Sequence, residues 1–320
     1  MGTYFLGLAE IGRGNQALGH TLLEKAEAIF PRIRDYGFIA SYMRRRGYAE
    51  IDILYQRLWL LAVFRATDSF LLSYPKCGRT WLRFMLGHYA LRGQEGDPLE
   101  VNAISRKDPM LSVLEVFHDD EPHLKPVGEI VEDKEAYRGK RVVFLSRDPR
   151  DVIVSYFFQY TLRGDKRLAN DEEFSGDLGA FIRWDIGGLK SLVRFYNVWA
   201  TNRQVPAAFM NVSYEELTRD VRPALKSVID FLGWPDFGAD NLERAVAAGS
   251  FENMRRLESE DTLGNPLLRP AEDDNPEAFK VRRGIVGGYR DYLSPEDINW
   301  VDEYLISELD DFFADYKYIS

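Results

Sequence analysis

A chain of 320 residues, 45% hydrophobic, is long enough for one large α/β domain, and its 51 acidic against 41 basic residues argue against coating nucleic acid or an anionic membrane by bulk charge. Its one cysteine, Cys77, excludes an intrachain disulfide and a cysteine-based zinc cluster and fits a reducing compartment. The longest apolar run, Leu58 to Phe64, falls far short of the ~20 residues of a membrane helix, so a soluble cytoplasmic protein is expected.

Residues 1 to 65 are predicted to be helical, because "TLLEKAEAIFPRIRDYGFIASYMRRRG" carries apolar positions at helical spacing. They are expected to form an N-terminal extension packed on a domain spanning 66 to 320, and they carry no recognisable chemistry. From Asp68 onward the pattern alternates. "SFLLSY", "VLEVFH", "RVVFLS" and "AAFMNVSY" are short apolar runs of the kind that become buried strands, and the stretches between them are helical. Such alternation predicts a parallel sheet with covering helices, with anions bound at the carboxyl ends of the strands. Asp148, Pro149 and Asp151 mark one helix start, and Ser294, Pro295 and Asp297 mark another. The segment 255 to 284, charged and proline-containing, reads as a long surface excursion or lid.

Three constellations carry cations at predicted strand ends or turns. In "YPKCGRTW" a strand gives way at Gly78 to a helix whose free N–H groups face the turn, with Lys76 and Arg79 beside it. The loop lacks GxxxxGK[ST], which disfavours an ATP-hydrolysing P-loop. In "SRDPRDVIVSYFFQ", Arg147 ends a buried strand and Ser155 lies two helical turns beyond the cap, so a guanidinium and a hydroxyl can meet on one phosphate. In "KVRRGIVGGYRD", Arg282 and Arg283 precede Gly284 in a segment rich in backbone N–H groups.

In this order, "YPKCGRTW", "SRDPRDVIVSYFFQ", "NVSYEEL", "GSF" and "RRGIVGGYRD" resemble the sulfotransferases that use 3′-phosphoadenosine 5′-phosphosulfate (PAPS), over about Asp68 to Tyr292. The resemblance implies an α/β fold, a parallel sheet flanked by helices like that of the P-loop nucleotide kinases, in a single domain. It implies that Lys76 meets the bridging oxygen of the donor, that Cys77, Gly78, Arg79 and Thr80 surround the 5′-phosphosulfate, and that Trp81 stacks near adenine. Arg147 and Ser155 would bind the 3′-phosphate, Tyr214, Ser250 and Phe251 would lie beside the nucleotide, and Arg282, Arg283 and Gly284 would close over it. Cys77 stands where the family often has Ser, Arg79 where it often has Thr, and Gly288 and Tyr289 where it often has Asp and Trp.

The family places a histidine base after the strand preceding "SRDPRD"; His118 ends that strand, with His123 in the following loop as the alternative, and His88 is read as structural. The expected reaction is in-line sulfuryl transfer to the hydroxyl of a small-molecule, lipid or glycan acceptor, leaving adenosine 3′,5′-bisphosphate (PAP). A sulfuryl group carries less charge than a phosphoryl group, so no metal is expected. Two rivals make distinct forecasts: a small-molecule kinase would need ATP and magnesium, and a non-catalytic PAP sensor would bind without turnover.

Overall fold

The computed structural model describes residues 10, 15, 18, 21, 64–163, 174–269 and 275–318. The expected helical extension over 1 to 65, His20 with it, lies almost wholly outside them. The chain divides into two compact units, Met1–Asp68 and Ser69–Ser320, and the second contains the sheet.

Four parallel strands are present among the described residues: β1 (Ser69–Leu72), β2 (Leu114–Phe117), β3 (Arg141–Ser146) and β4 (Ala208–Ser213), in the order β2-β1-β3-β4. They coincide with the four apolar runs. Every residue of β1 is buried, as a continuous apolar run requires at the centre of a parallel sheet. Leu72 pairs with Phe117 on one side and Phe144 on the other, so the segments leaving β1, β2 and β3 start at nearly one level. Because the order reverses beside β1, the loop after β1 sits at a topological switch point, where open α/β sheets leave a crevice.

The helices follow as α1 (Arg79–Leu91), α2 (Val101–Lys107), α3 (Pro149–Arg163), α4 (Leu178–Arg183), α5 (Leu189–Asn202), α6 (Tyr214–Arg219), α7 (Val221–Leu232), α8 (Ala239–Ala248), α9 (Phe251–Ser259) and α10 (Pro295–Glu308). The expected starts of α3 and α10 hold. The Asp148 carboxylate accepts the Arg150 N–H at 2.9 Å, and the Ser294 hydroxyl accepts the Asp297 N–H at 3.1 Å. Under β3, Phe144 packs against Phe195, Tyr196, Trp199, Phe209 and Phe313, an aromatic core whose edge-on and stacked pairs add to simple area burial.

The excursion begins later than its composition suggests. Residues 255 to 259 belong to α9, because Met254 and Leu257, three apart on one face, are buried against Phe84, Leu99 and Leu268, and Ser250 caps the helix. Beyond it the chain forms short turns at Pro266–Leu268 and Pro276–Ala278.

Candidate functional site

The loop between β1 and α1 begins with strained backbone: Lys76 adopts φ 70°, in the left-handed region that costs a side-chain-bearing residue about 1–3 kcal/mol. Gly78, which precedes the first residue of α1, has φ 93°, and a Cβ there would stand 2.7 Å from Cδ2 of Tyr214. Only glycine satisfies both demands. Gly78→Ala is therefore expected to lower stability by about 1–3 kcal/mol and to weaken anion binding at least several-fold, read by thermal melting and calorimetry. Unchanged binding would show that the loop does not cradle the ligand.

The side chains divide between cradle and core. Cys77 is fully buried, its thiol 3.5 Å from the Tyr196 hydroxyl, and burial pushes its pKa up to about 12. Its sulfur is thus a neutral part of the core, and only its backbone borders the loop. The Lys76 ammonium donates to Oε1 of Gln159 on α3 at 3.3 Å. Burial, followed by the charges of Lys280 and Arg163, holds its pKa well below the usual lysine range.

Arg147, just past β3, ties the loops together. Its Nη1 donates to the Lys76 carbonyl at 3.1 Å, its Nη2 to the Ile285 carbonyl at 3.2 Å, and its guanidinium lies 4.2 Å from the centre of the Tyr214 ring. Tyr214 meets Trp81 edge-on with ring centres 5.7 Å apart, and the Trp81 indole donates to the Gly249 carbonyl at 2.6 Å. Ser250 and Phe251 are the next two residues, with Phe251 exposed. Gly284, at φ 67°, lets the chain run against that ring, since a Cβ there would lie 2.7 Å from Cδ2 of Phe251. Lys76, Gly78, Trp81, Arg147, Tyr214, Phe251 and Gly284 are thus joined through successive contacts.

The expected residues differ in where their polar atoms go. Thr80 stands in the first turn of α1, and Ser155 is buried on α3. Ser250 spends its hydroxyl capping α9. Arg282 lies over Phe158, one turn after Ser155, at 4.9 Å, and its Nη1 donates to Glu277 and to the Tyr292 hydroxyl, each at 2.7 Å. Arg283 turns instead to Asp291 at 2.6 Å.

His118 leaves β2 beside this group. Its Nδ1 lies 2.9 Å from the Ser73 carbonyl, and its Nε2 lies 2.6 Å from Nη2 of Arg79. Burial first, then the charges of Arg79 and His123, keeps its pKa well below the usual histidine value. His123 is buried, with its ring 5.0 Å from that of His118 and edge-on to Tyr156 at 5.5 Å. His88 packs on Phe84 at 4.6 Å, within α1, in keeping with a structural part.

Three residues not singled out in the sequence, together with Asp151, hold this arrangement. Asp119, next to His118, accepts from Tyr137 at 2.6 Å and Trp199 at 3.1 Å, and pairs with Lys134 at 2.8 Å. Asp151, noted only as a first-turn acid, accepts the N–H groups of Gly287 at 2.8 Å and Tyr289 at 2.9 Å. Glu258, fully buried, accepts from Arg163 at 3.0 Å and from the N–H groups of Lys280 at 2.6 Å and Val281 at 2.8 Å. Lys280 in turn brings a positive charge to bear on both Lys76 and His118.

Residues 66–313 match the family described as Sulfotransferase domain. Sulfotransferase 2B1 of Mus musculus is 26% identical over 247 residues, covering 72% of this chain and 68% of that protein. Cytosolic sulfotransferase 13 of Arabidopsis thaliana is 28% identical over 298 residues, covering 86% and 88%. A crystal structure of a mouse sulfotransferase complexed with PAP shares the fold, with a TM-score of 0.55 at 23% identity over 81% of this chain and 92% of that one.

Proposed function

The chain belongs to the sulfotransferase domain family, and from that premise we propose that the cradle around Lys76 and Arg147 takes PAPS and that His118 prepares the acceptor. It is a transferase that moves a sulfuryl group from PAPS to an acceptor hydroxyl.

One observation carries the assignment of residues. Five buried guanidinium atoms among the described residues have no hydrogen-bond partner, and three of them, Arg79 Nη1, Arg147 Nε and Arg282 Nε, belong to expected site residues, the others being on Arg92 and Arg106. An unpaired buried donor costs about 1–3 kcal/mol, more when it is charged. Arg147 meets the Lys76 carbonyl and Arg79 lies three residues beyond Lys76, so these donors suit a ligand with several anionic oxygens, while burial first and then the charges of Lys280 and Arg163 lower the Lys76 pKa. The two glycine approaches, Gly78 on Tyr214 and Gly284 on Phe251, support a nucleotide held between aromatic rings.

When bound, the donor supplies the sulfur electrophile and a phosphate leaving group. Lys76, its ammonium held by Gln159, would stabilise charge on the bridging oxygen, and the free N–H groups at the start of α1 would be available to the phosphosulfate. Arg147, just before α3, and Ser155, about two turns into it, would take the 3′-phosphate, with Arg282 joining them from the far segment. Arg283 stays with Asp291 and contributes charge at the rim. At His118 the Ser73 carbonyl can only accept, so Nδ1 carries the hydrogen and Nε2 the lone pair. Nε2 would take the acceptor's proton while the acceptor oxygen displaces the phosphate oxygen from the donor's sulfur.

The acceptor is the hydroxyl of a small molecule. The compartment we assign is the cytoplasm. Curated relatives are named cytosolic, and no helix among the described residues is long and apolar enough to cross a membrane.

Calorimetric titration with PAP, beside ADP and ATP with magnesium, tests the site. PAP is expected to bind far more tightly than ADP, and Arg147→Ala to weaken it by about tenfold to a hundredfold, the value of a charged hydrogen bond or two. Equal or tighter binding of ATP would overturn the 3′-phosphate assignment and favour a kinase.

A further inference from the structure

The contact between Arg79 and His118 has a fixed polarity. Nδ1 must donate to Ser73, so Nε2 accepts, and the guanidinium donates a hydrogen into the nitrogen that serves as the base. Protonating Nε2 would set N–H against N–H and one cation against another. The pair therefore persists only with a neutral imidazole.

We propose that Arg79 is a positioning residue that keeps His118 neutral with its lone pair on Nε2, and that releases this lone pair to the acceptor hydroxyl when donor oxygens draw the guanidinium away. This rests on the reading of His118 as the base. The geometry supplies both halves of the exchange. Nη2 holds the ring, while Nη1, on the same planar fork, is buried and has no partner. An anionic oxygen at Nη1 attracts the guanidinium charge to charge, whereas the imidazole at Nη2 offers it only a neutral lone pair, so the anion pulls the fork away from the ring. The base is thus capped while the cradle lacks its anion and freed when the anion arrives.

The groups around the pair favour the same state. His118 faces Arg79 from α1, His123 from the following turn and Lys280 from the far segment, and each opposes a second positive charge on the ring. Asp119, the adjacent carboxylate, is committed to Tyr137, Trp199 and Lys134. Arg79 is itself faced by Arg83, by Glu121 and by the Cys77 thiol, and burial first, then the Arg83 charge, pulls its pKa down to about 9, which leaves it a protonated donor at neutral pH.

Nitrogen-detected NMR of the imidazoles, with pH profiles of kcat/KM, tests the proposal on wild type, Arg79→Gln and Arg79→Lys, with His118→Ala as the control. Wild-type His118 is expected to stay neutral with its hydrogen on Nδ1 below the usual histidine pKa. In Arg79→Gln its titration and the acid limb of kcat/KM should move together to higher pH, raising the ratio of rates at pH 8 and pH 6 several-fold. Arg79→Lys, which keeps a positive charge, should retain the low limb. Neither quantity moving in a Gln variant with an unchanged melting temperature would overturn the proposal. A moved titration with an unmoved limb, and activity surviving in His118→Ala, would instead overturn the base assignment on which the proposal rests.

Discussion

His118→Ala should lower kcat by about 10²- to 10⁴-fold, the usual contribution of a positioned general base, while PAP affinity changes only a few-fold. The ring contacts Ser73 and Arg79, and neither contact requires the nucleotide, so the loss falls on the chemical step. Single-turnover kinetics with saturating PAPS reads it directly. His123→Ala provides the contrast. That ring is buried edge-on against Tyr74 at 6.1 Å and Tyr156 at 5.5 Å, so its removal opens a packing defect and should cost stability more than rate. The reverse pattern, with His123→Ala abolishing turnover in a stable protein, would transfer the base to His123.

Lys76→Met should lower kcat/KM by about 10²- to 10³-fold, the scale of one lost donor to developing charge. The substitution keeps the stem's volume and removes the ammonium, so a loss in a folded protein reports charge alone. A pH signature accompanies it. With the cradle empty, burial and the charges of Lys280 and Arg163 lower the Lys76 pKa; a bound anion raises it again, so binding takes up a proton and weakens as pH rises through the lowered pKa. PAP titrations across pH should show that slope in wild type and its loss in Lys76→Met. An unchanged slope would assign the proton to another group.

The sheet was legible because parallel strands buried on both faces must be apolar throughout, and "SFLL" and "RVVFLS" leave no other reading. Lys76, Gly78 and Arg147 were legible because strand ends beside glycine or a helix cap are where such folds gather anions. What the sequence hid is what only register creates. Arg79 and His118 stand 39 residues apart and meet because β1 pairs in parallel with β2. Asp119 and Asp151 look like loop and first-turn acids, yet each accepts from more than one distant donor. Residues 255 to 259 looked like excursion because their charges mask a short apolar face, whose burial depends on helix α1 and the segment around Leu268.

Glu258 carries a kinetic consequence. Arg163 donates to its carboxylate and to the carbonyls of Arg269 and Ala278, while Lys280 and Val281 give it their amides. Irregular backbone on both sides of the turn at Pro276–Ala278 therefore shares one buried anchor with the end of α3. Displacing that stretch cannot proceed bond by bond, since each partial step leaves a carboxylate or a guanidinium buried and unpaired. Displacing residues 279–281 from this anchor is therefore expected to be all-or-none, and a product held beneath them would leave no faster than the anchor lets go.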